Sequence, residues 1–145
     1  MFKTILVPTD GSALSEKAID AAARFAKSCG ARLIGLSVAE PEPMANMAEV
    51  STFVDADDYA RKLQEIAQLS VDKVEAAAEQ AGVPCETVVR TAANPYEEII
   101  RTATDFGCDV IFMASHGRKG LSALFVGSET QKVLAHSTIP VLVFR

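Results

Sequence analysis

Five short strand-like runs, each separated from the next by a stretch of helical periodicity, constrain the fold of this chain more than any other feature. The runs are Thr4–Val7, Leu33–Val38, Glu86–Arg90, Val110–Met113 and Val141–Phe144. Short, mostly apolar segments bounded by turn residues read as strands buried on both faces. Between the first two, Leu14, Ala18, Ala21, Ala22 and Phe25 recur at helical spacing from Ser12 to Ser28, and Gly30 supplies the stop. From Asp57 to Ala81, Leu63, Ile66, Val74 and Ala77 are expected to line one face, with Gly82 and Pro84 ending the helix. A third helix is expected from Asn94 as N-cap. Pro95 stands in the first helical position and Glu97 completes the cap pattern, while Ile99, Ile100 and Ala103 form the apolar side. A fourth opens on Ser128-x-x-Gln131, which reads as a capping box, with Val133 and Leu134 apolar.

Strands that alternate with helices in this way imply an α/β protein with a parallel sheet covered on both faces. Right-handed crossovers turn that order into a three-layer, doubly wound sandwich of five strands and four helices. Ligands in such sandwiches collect at the carboxyl ends of the strands, where the strand order reverses. The ends of the first and fourth strands are therefore the places to search. They carry Pro8-Thr9-Asp10-Gly11-Ser12 and Ala114-Ser115-His116-Gly117.

At 145 residues and 49% hydrophobic, the chain is expected to form one domain over 1–145, with an ample core. A net charge of −5 without a Lys/Arg cluster argues against nucleic acid or an anionic membrane as partner. The apolar runs are too short to span a bilayer, and the N-terminus has no signal-peptide architecture, so the expected location is cytoplasmic. Cys29, Cys85 and Cys108 are far apart and form no Cys-x-x-Cys pair, which suits buried or half-buried reduced thiols. His116 and His136 have no ligand cluster beside them, against a zinc site. The long connection from Ala39 to Ala56 reads either as a lid over a ligand or as a surface loop.

The chemistry concentrates in Met113-Ala114-Ser115-His116-Gly117, followed after nine residues by Gly127-Ser128. A glycine past a buried strand admits close approach of an anion, and the N–H groups of a following helix start point at it. Gly117 is also compatible with an ordinary loop, and Ser128 with a simple cap. Arg118 and Lys119 would give the loop positive charge facing phosphate oxygens or solvent. Asp10 is placed to accept hydrogen bonds from a ribose or to hold a hydrated cation beside phosphates; an Asp-Gly turn is the alternative. Ser12 reads as a helix cap. There is no Walker A motif, no dinucleotide glycine fingerprint and no nucleophile elbow. Ser115 and His116, as neighbours leaving a strand, are expected to point apart, against a hydrolytic pair.

Ile5-Leu6-Val7-Pro8-Thr9-Asp10-Gly11-Ser12, Met113 to Leu121, Gly127-Ser128 and Ile139-Pro140-Val141-Leu142-Val143 together resemble the universal stress protein family over essentially the whole chain. The ATP-binding branch of that family carries Gly-x2-Gly-x9-Gly-Ser/Thr. Gly117, Gly127 and Ser128 match it, and Ala114 stands where the first glycine would be. The resemblance implies strand order 3-2-1-4-5 and a site for ATP or another adenine nucleotide, with Mg2+ or Mn2+. It places Pro8, Thr9 and Asp10 at ribose, phosphate or metal, and Val38 at adenine. Met113, Ala114, His116, Gly117, Arg118, Gly127, Ser128, Glu129 and Thr130 would complete the site. Asp10 is the one residue proposed to meet a metal, through the nucleotide. The resemblance also implies a homodimer through Val141–Phe144, an apolar edge that pairing with a second copy would cover. It implies a stress-response module with an unidentified protein partner, at most a slow ATPase, since no general base is evident. The alternative is a protein-interaction member of the same fold that binds no nucleotide.

Overall fold

A computed structural model describes residues 1–41, 55–117 and 126–145. Strands β1 (Thr4–Pro8), β2 (Arg32–Ala39), β3 (Cys85–Thr91), β4 (Val110–Ala114) and β5 (Val141–Phe144) form a single parallel sheet of order β3-β2-β1-β4-β5. Helices α1 (Ala13–Cys29), α2 (Ala56–Ala81), α3 (Pro95–Asp105) and α4 (Ser128–His136) connect them. The five strands and four helices follow the expected doubly wound order.

The two-residue period of a strand sends alternate side chains to opposite faces. Ile5, Val7, Leu33, Val110 and Phe112 therefore meet Ile19, Ala22 and Ala26 of α1 and Val74 and Ala78 of α2. Leu6, Ile34, Leu36, Ile111 and Met113 face the other way, onto Ile99 and Ala103 of α3 and Val133 of α4. Both faces are apolar because both are covered, so β1 and β4 are buried at every residue. The sheet order reverses between β1 and β4, whose registers pair Ile5 with Val110 and Leu6 with Ile111.

Local sequence fixes most of the helix ends. The Ser12 hydroxyl accepts the Ser15 N–H at 3.3 Å, and Asp55 caps α2 through the Asp57 N–H at 3.2 Å. Gly30 and Gly82 close α1 and α2 with φ of 69° and 70°, a left-handed conformation that a side chain would strain.

Four expectations are corrected. The buried stripe of α2 runs through Ala67, Ser70, Val71, Val74 and Ala78, and Ile66 is 44% exposed. Burial on α2 begins at Ala67, and Leu63, one turn earlier, is only half-buried. Leu134 of α4 is likewise 47% exposed, while Val133 carries the contact with the core. The capping box at Ser128 is not formed. Gly127 is the N-cap, with φ −62° and ψ 156°, and its carbonyl accepts the Gln131 N–H. Gln131 instead donates its side-chain amide to the Val126 carbonyl. Asn94 occupies the cap position of α3 with Pro95 next, but its side chain makes no cap bond.

The thiols of Cys29, Cys85 and Cys108 are all free. Burial pushes Cys85 and Cys108 up to about 11, which keeps them protonated and unreactive near neutral pH. No helix among the described residues is long and apolar enough to cross a membrane.

Candidate functional site

The carboxyl ends of β1, β2 and β4 open on one cavity of about 500 Å³, a volume suited to a ligand the size of a nucleotide. Beyond β1 the chain stays attached to the sheet, since the Thr9 N–H donates to the Leu36 carbonyl at 2.8 Å. The turn that follows is held by its own side chains. Thr9 Oγ1 accepts the Gly11 N–H at 3.1 Å and donates to Ser15 Oγ at 3.0 Å. Asp10 Oδ1 accepts the Ser12 N–H at 3.0 Å. Ser15 Oγ lies 2.8 Å from the Ser12 carbonyl and 3.3 Å from Asp10 Oδ1, and donates to one at a time. Lys73 of α2 donates to the Gly11 carbonyl at 3.0 Å and pairs with Glu16, fastening the turn from outside.

Backbone contacts fasten the β4 side. The Ser115 N–H donates to the Phe144 carbonyl at 2.6 Å, and the Gly127 N–H returns to the Ser115 carbonyl at 2.6 Å. Thr130 Oγ1 donates to the Ala114 carbonyl at 3.0 Å, which draws the first turn of α4 onto the end of β4. Gly117 and Gly127 are needed here for space, since neither has positive φ. A Cβ on Gly117 would stand 2.2 Å from Asp10 Oδ2, and one on Gly127 would stand 3.1 Å from His116 Cα. The two strand ends are thus in direct contact through Asp10 and Gly117. The N–H groups of Ser128, Glu129 and Thr130, in the first turn of α4, have no intrahelical acceptor, and the helix dipole adds positive potential there.

Among the residues singled out from sequence, Pro8, Thr9, Asp10, Val38, Met113, Ala114, His116, Gly117, Gly127, Ser128, Glu129 and Thr130 all line the cavity. Arg118 and Lys119 lie outside the described residues, as does the connection over 42–54. Ser15, Leu36, Glu40, Pro95 and Ile99 line it too and were missed. Ser15 was detectable, because it is one turn from the cap Ser12 and faces the same loop. Leu36 lies on β2, on which Val38 alone was chosen, and Glu40 directly follows that strand. Pro95 and Ile99 arrive only because α3 crosses beside β2 and α4, which no local pattern announces.

Two details alter the sequence reading. Ser115 Oγ and His116 Nδ1 lie 3.2 Å apart, so the neighbours do not point apart as expected. Ser115 is nevertheless 3% exposed and is held by backbone bonds at the strand end, a poor position for a nucleophile. Glu129 turns its carboxylate away from its own helix start. Oε2 accepts the Tyr96 N–H at 2.9 Å, and Oε1 pairs with Lys132 at 2.9 Å. Glu129 thus performs at α3 the capping that Asn94 does not.

Among the described residues no group of three or more His, Cys, Asp or Glu side chains is placed to hold a metal ion. Asp10 alone would be an incomplete site. Among the described residues, Asp10 would hold a cation here with further ligands supplied by a bound phosphate.

The whole chain, residues 1–145, matches the universal stress protein family. The chain belongs to that family. A universal stress protein of Thermus aquaticus is 33% identical, with both chains covered in full. The solved structure of the universal stress protein MJ0577 of Methanocaldococcus jannaschii superposes with a TM-score of 0.81 at 32% identity, over 99% of this chain and 96% of that one. More distant structures share the fold: a universal stress protein of Archaeoglobus fulgidus in complex with dAMP (TM-score 0.70, 16% identity, 99% and 98% covered) and one in complex with cAMP (TM-score 0.67, 21% identity, 99% and 97% covered).

Proposed function

We propose that this universal stress protein binds an adenine nucleotide, ATP with Mg2+ or Mn2+ among the candidates, in the cavity between β1, β2 and β4. The observation that carries this reading is the contact of Gly117 with Asp10 directly beside the open start of α4. Glycine there keeps the two strand ends close, and the helix start offers N–H groups to a phosphate. Val38 and Leu36 at the end of β2 supply an apolar wall for the base, and Asp10 faces the ribose or a phosphate-bound cation. Relatives of the same fold hold dAMP and cAMP, which supports an adenine ligand. The replacement of the first motif glycine by Ala114 does not weigh against it, because Ala114 lies in β4 and its φ is not positive.

The protein acts in this reading as a nucleotide-responsive stress module in the cytoplasm, one domain over 1–145, with hydrolysis at most slow. It forms a homodimer through β5, whose outer edge has no strand beside it among the described residues and whose Leu142 is 40% exposed. Isothermal titration with adenosine, AMP and Mg-ATP tests the site. Saturable binding is expected, and absence of heat and of any thermal shift at millimolar ligand would refute it. Deletion of Val141–Arg145 is expected to give monomer or aggregate, and a well-behaved dimer from that truncation would refute the interface.

A further inference from the structure

The described lining of the cavity contains three carboxylates, on Asp10, Glu40 and Glu129, and no Lys or Arg. Attraction for an anion therefore comes, among these residues, from the first turn of α4. A second helix N-terminus opens on the same cavity, that of α3, where Pro95 and Ile99 contribute to the wall. That N-terminus is already taken. Glu129 reaches across from α4 and accepts the Tyr96 N–H at 2.9 Å, while Lys132 holds its other oxygen at 2.9 Å. The Lys132 ammonium also stands 5.5 Å from the centre of the Tyr96 ring, so the carboxylate is gripped from both sides. The glutamate hence places a fixed negative charge at the start of α3, on the wall of the cavity beside the turn of α4 that would receive a phosphate.

Resting on the nucleotide reading above, we propose that Glu129 is a selectivity residue, which caps α3 with its carboxylate and thereby turns the site towards adenine nucleotides of low charge, nucleoside monophosphates over extended polyphosphates. Each further phosphate adds charge near Glu129 and gains no second helix start, since Glu129 occupies it. A divalent cation on the polyphosphate reduces the penalty by neutralising the added charge, so the preference is sharpest without metal.

The test is a titration of wild type, Glu129→Gln and Lys132→Ala with adenosine, AMP, ADP and ATP in EDTA at one low ionic strength. Wild type is expected to bind AMP more tightly than ATP. In Glu129→Gln the amide oxygen still accepts the Tyr96 N–H, so the wall is kept and only charge is lost. ATP should then bind roughly tenfold more tightly and AMP roughly threefold, with adenosine changed by less than about twofold. Lys132→Ala strips the carboxylate of its counter-charge and should move the ATP-to-AMP ratio the opposite way. Both shifts should shrink at high salt. Equal shifts for all four ligands, or none, would overturn the selectivity role while leaving the nucleotide reading intact. Failure of adenosine and every nucleotide to bind wild type would overturn both. Hydrogen exchange at the Tyr96 amide separates the cap from the charge: it should rise in Glu129→Ala and stay slow in Glu129→Gln.

Discussion

The wall built after β1 and the wall built after β4 hold the same cavity by opposite means. After β1, side chains tie the turn together: Thr9, Asp10, Ser12 and Ser15 hydrogen-bond among themselves, with Lys73 gripping the outside. After β4, the backbone itself makes the close contacts, with the Gly127 N–H returning to the Ser115 carbonyl and Gly117 pressed against the Asp10 carboxylate. A network of side chains has redundancy, so loss of one member leaves other bonds in place. A close backbone approach has none, because one added carbon must displace something. The first wall should therefore tolerate deletion of atoms, and the second should not tolerate addition.

Gly117→Val tests the second half of that contrast and carries the largest expected effect. Its Cβ would overlap Asp10 Oδ2 at 2.2 Å, and Asp10 cannot yield without giving up its bond from the Ser12 N–H. Nucleotide affinity should fall about a hundredfold, in line with overpacking of about 1–3 kcal/mol, while circular dichroism stays native. Retained affinity by titration would show that the strand ends separate freely. Gly127→Ala should do less. Its Cβ meets His116 and Ser115 at 3.1 to 3.3 Å, an overlap of a few tenths of an ångström, and its φ of −62° suits alanine. A loss of about 1 kcal/mol in stability, read by denaturant unfolding, and a several-fold loss of affinity are expected.

Ser15→Ala probes the other wall. It removes the acceptor of the Thr9 hydroxyl and one donor near Asp10, but Asp10 keeps the Ser12 N–H and Thr9 keeps the Gly11 N–H. Stability should drop by about 1 kcal/mol, the ordinary worth of a hydrogen bond, and affinity should stay within about threefold of wild type. A collapse of binding would make Ser15 a ligand contact in its own right and break the contrast between the walls.

The same contrast explains what was legible in the sequence. Strand alternation and turn glycines are local patterns, and they place β1 and β4; the family resemblance adds the residues of which twelve line the cavity. What stayed hidden depends on elements far apart in sequence meeting in space. Glu129 as the cap of α3 joins positions 33 residues apart, and no cap pattern spans that distance. The misplaced stripe on α2 has the same origin. Ile66 obeys the helical period but is 44% exposed, because burial is decided by the partner surface and not by the period alone. The two site glycines were legible through close approach, not through backbone freedom. The freedom of φ that usually justifies glycine is unused at Gly117 and Gly127, where the neighbour across the gap decides.

Ala114→Gly makes the smallest expected change and separates space from conformation most directly. If the motif glycine served to reach positive φ, alanine would be strained here, yet Ala114 continues β4 in register with Phe144 and its carbonyl accepts from Thr130. Restoring glycine should therefore alter nucleotide affinity by less than about threefold, since no strain is released. It should lower stability by about 0.5–1 kcal/mol, because glycine in a strand loses more backbone entropy on folding. Titration and thermal unfolding of the same preparation read both effects. A tenfold gain in affinity would mean that the methyl group obstructs the ligand, and the wall after β4 would then be limited by added atoms at Ala114 as it is at Gly117.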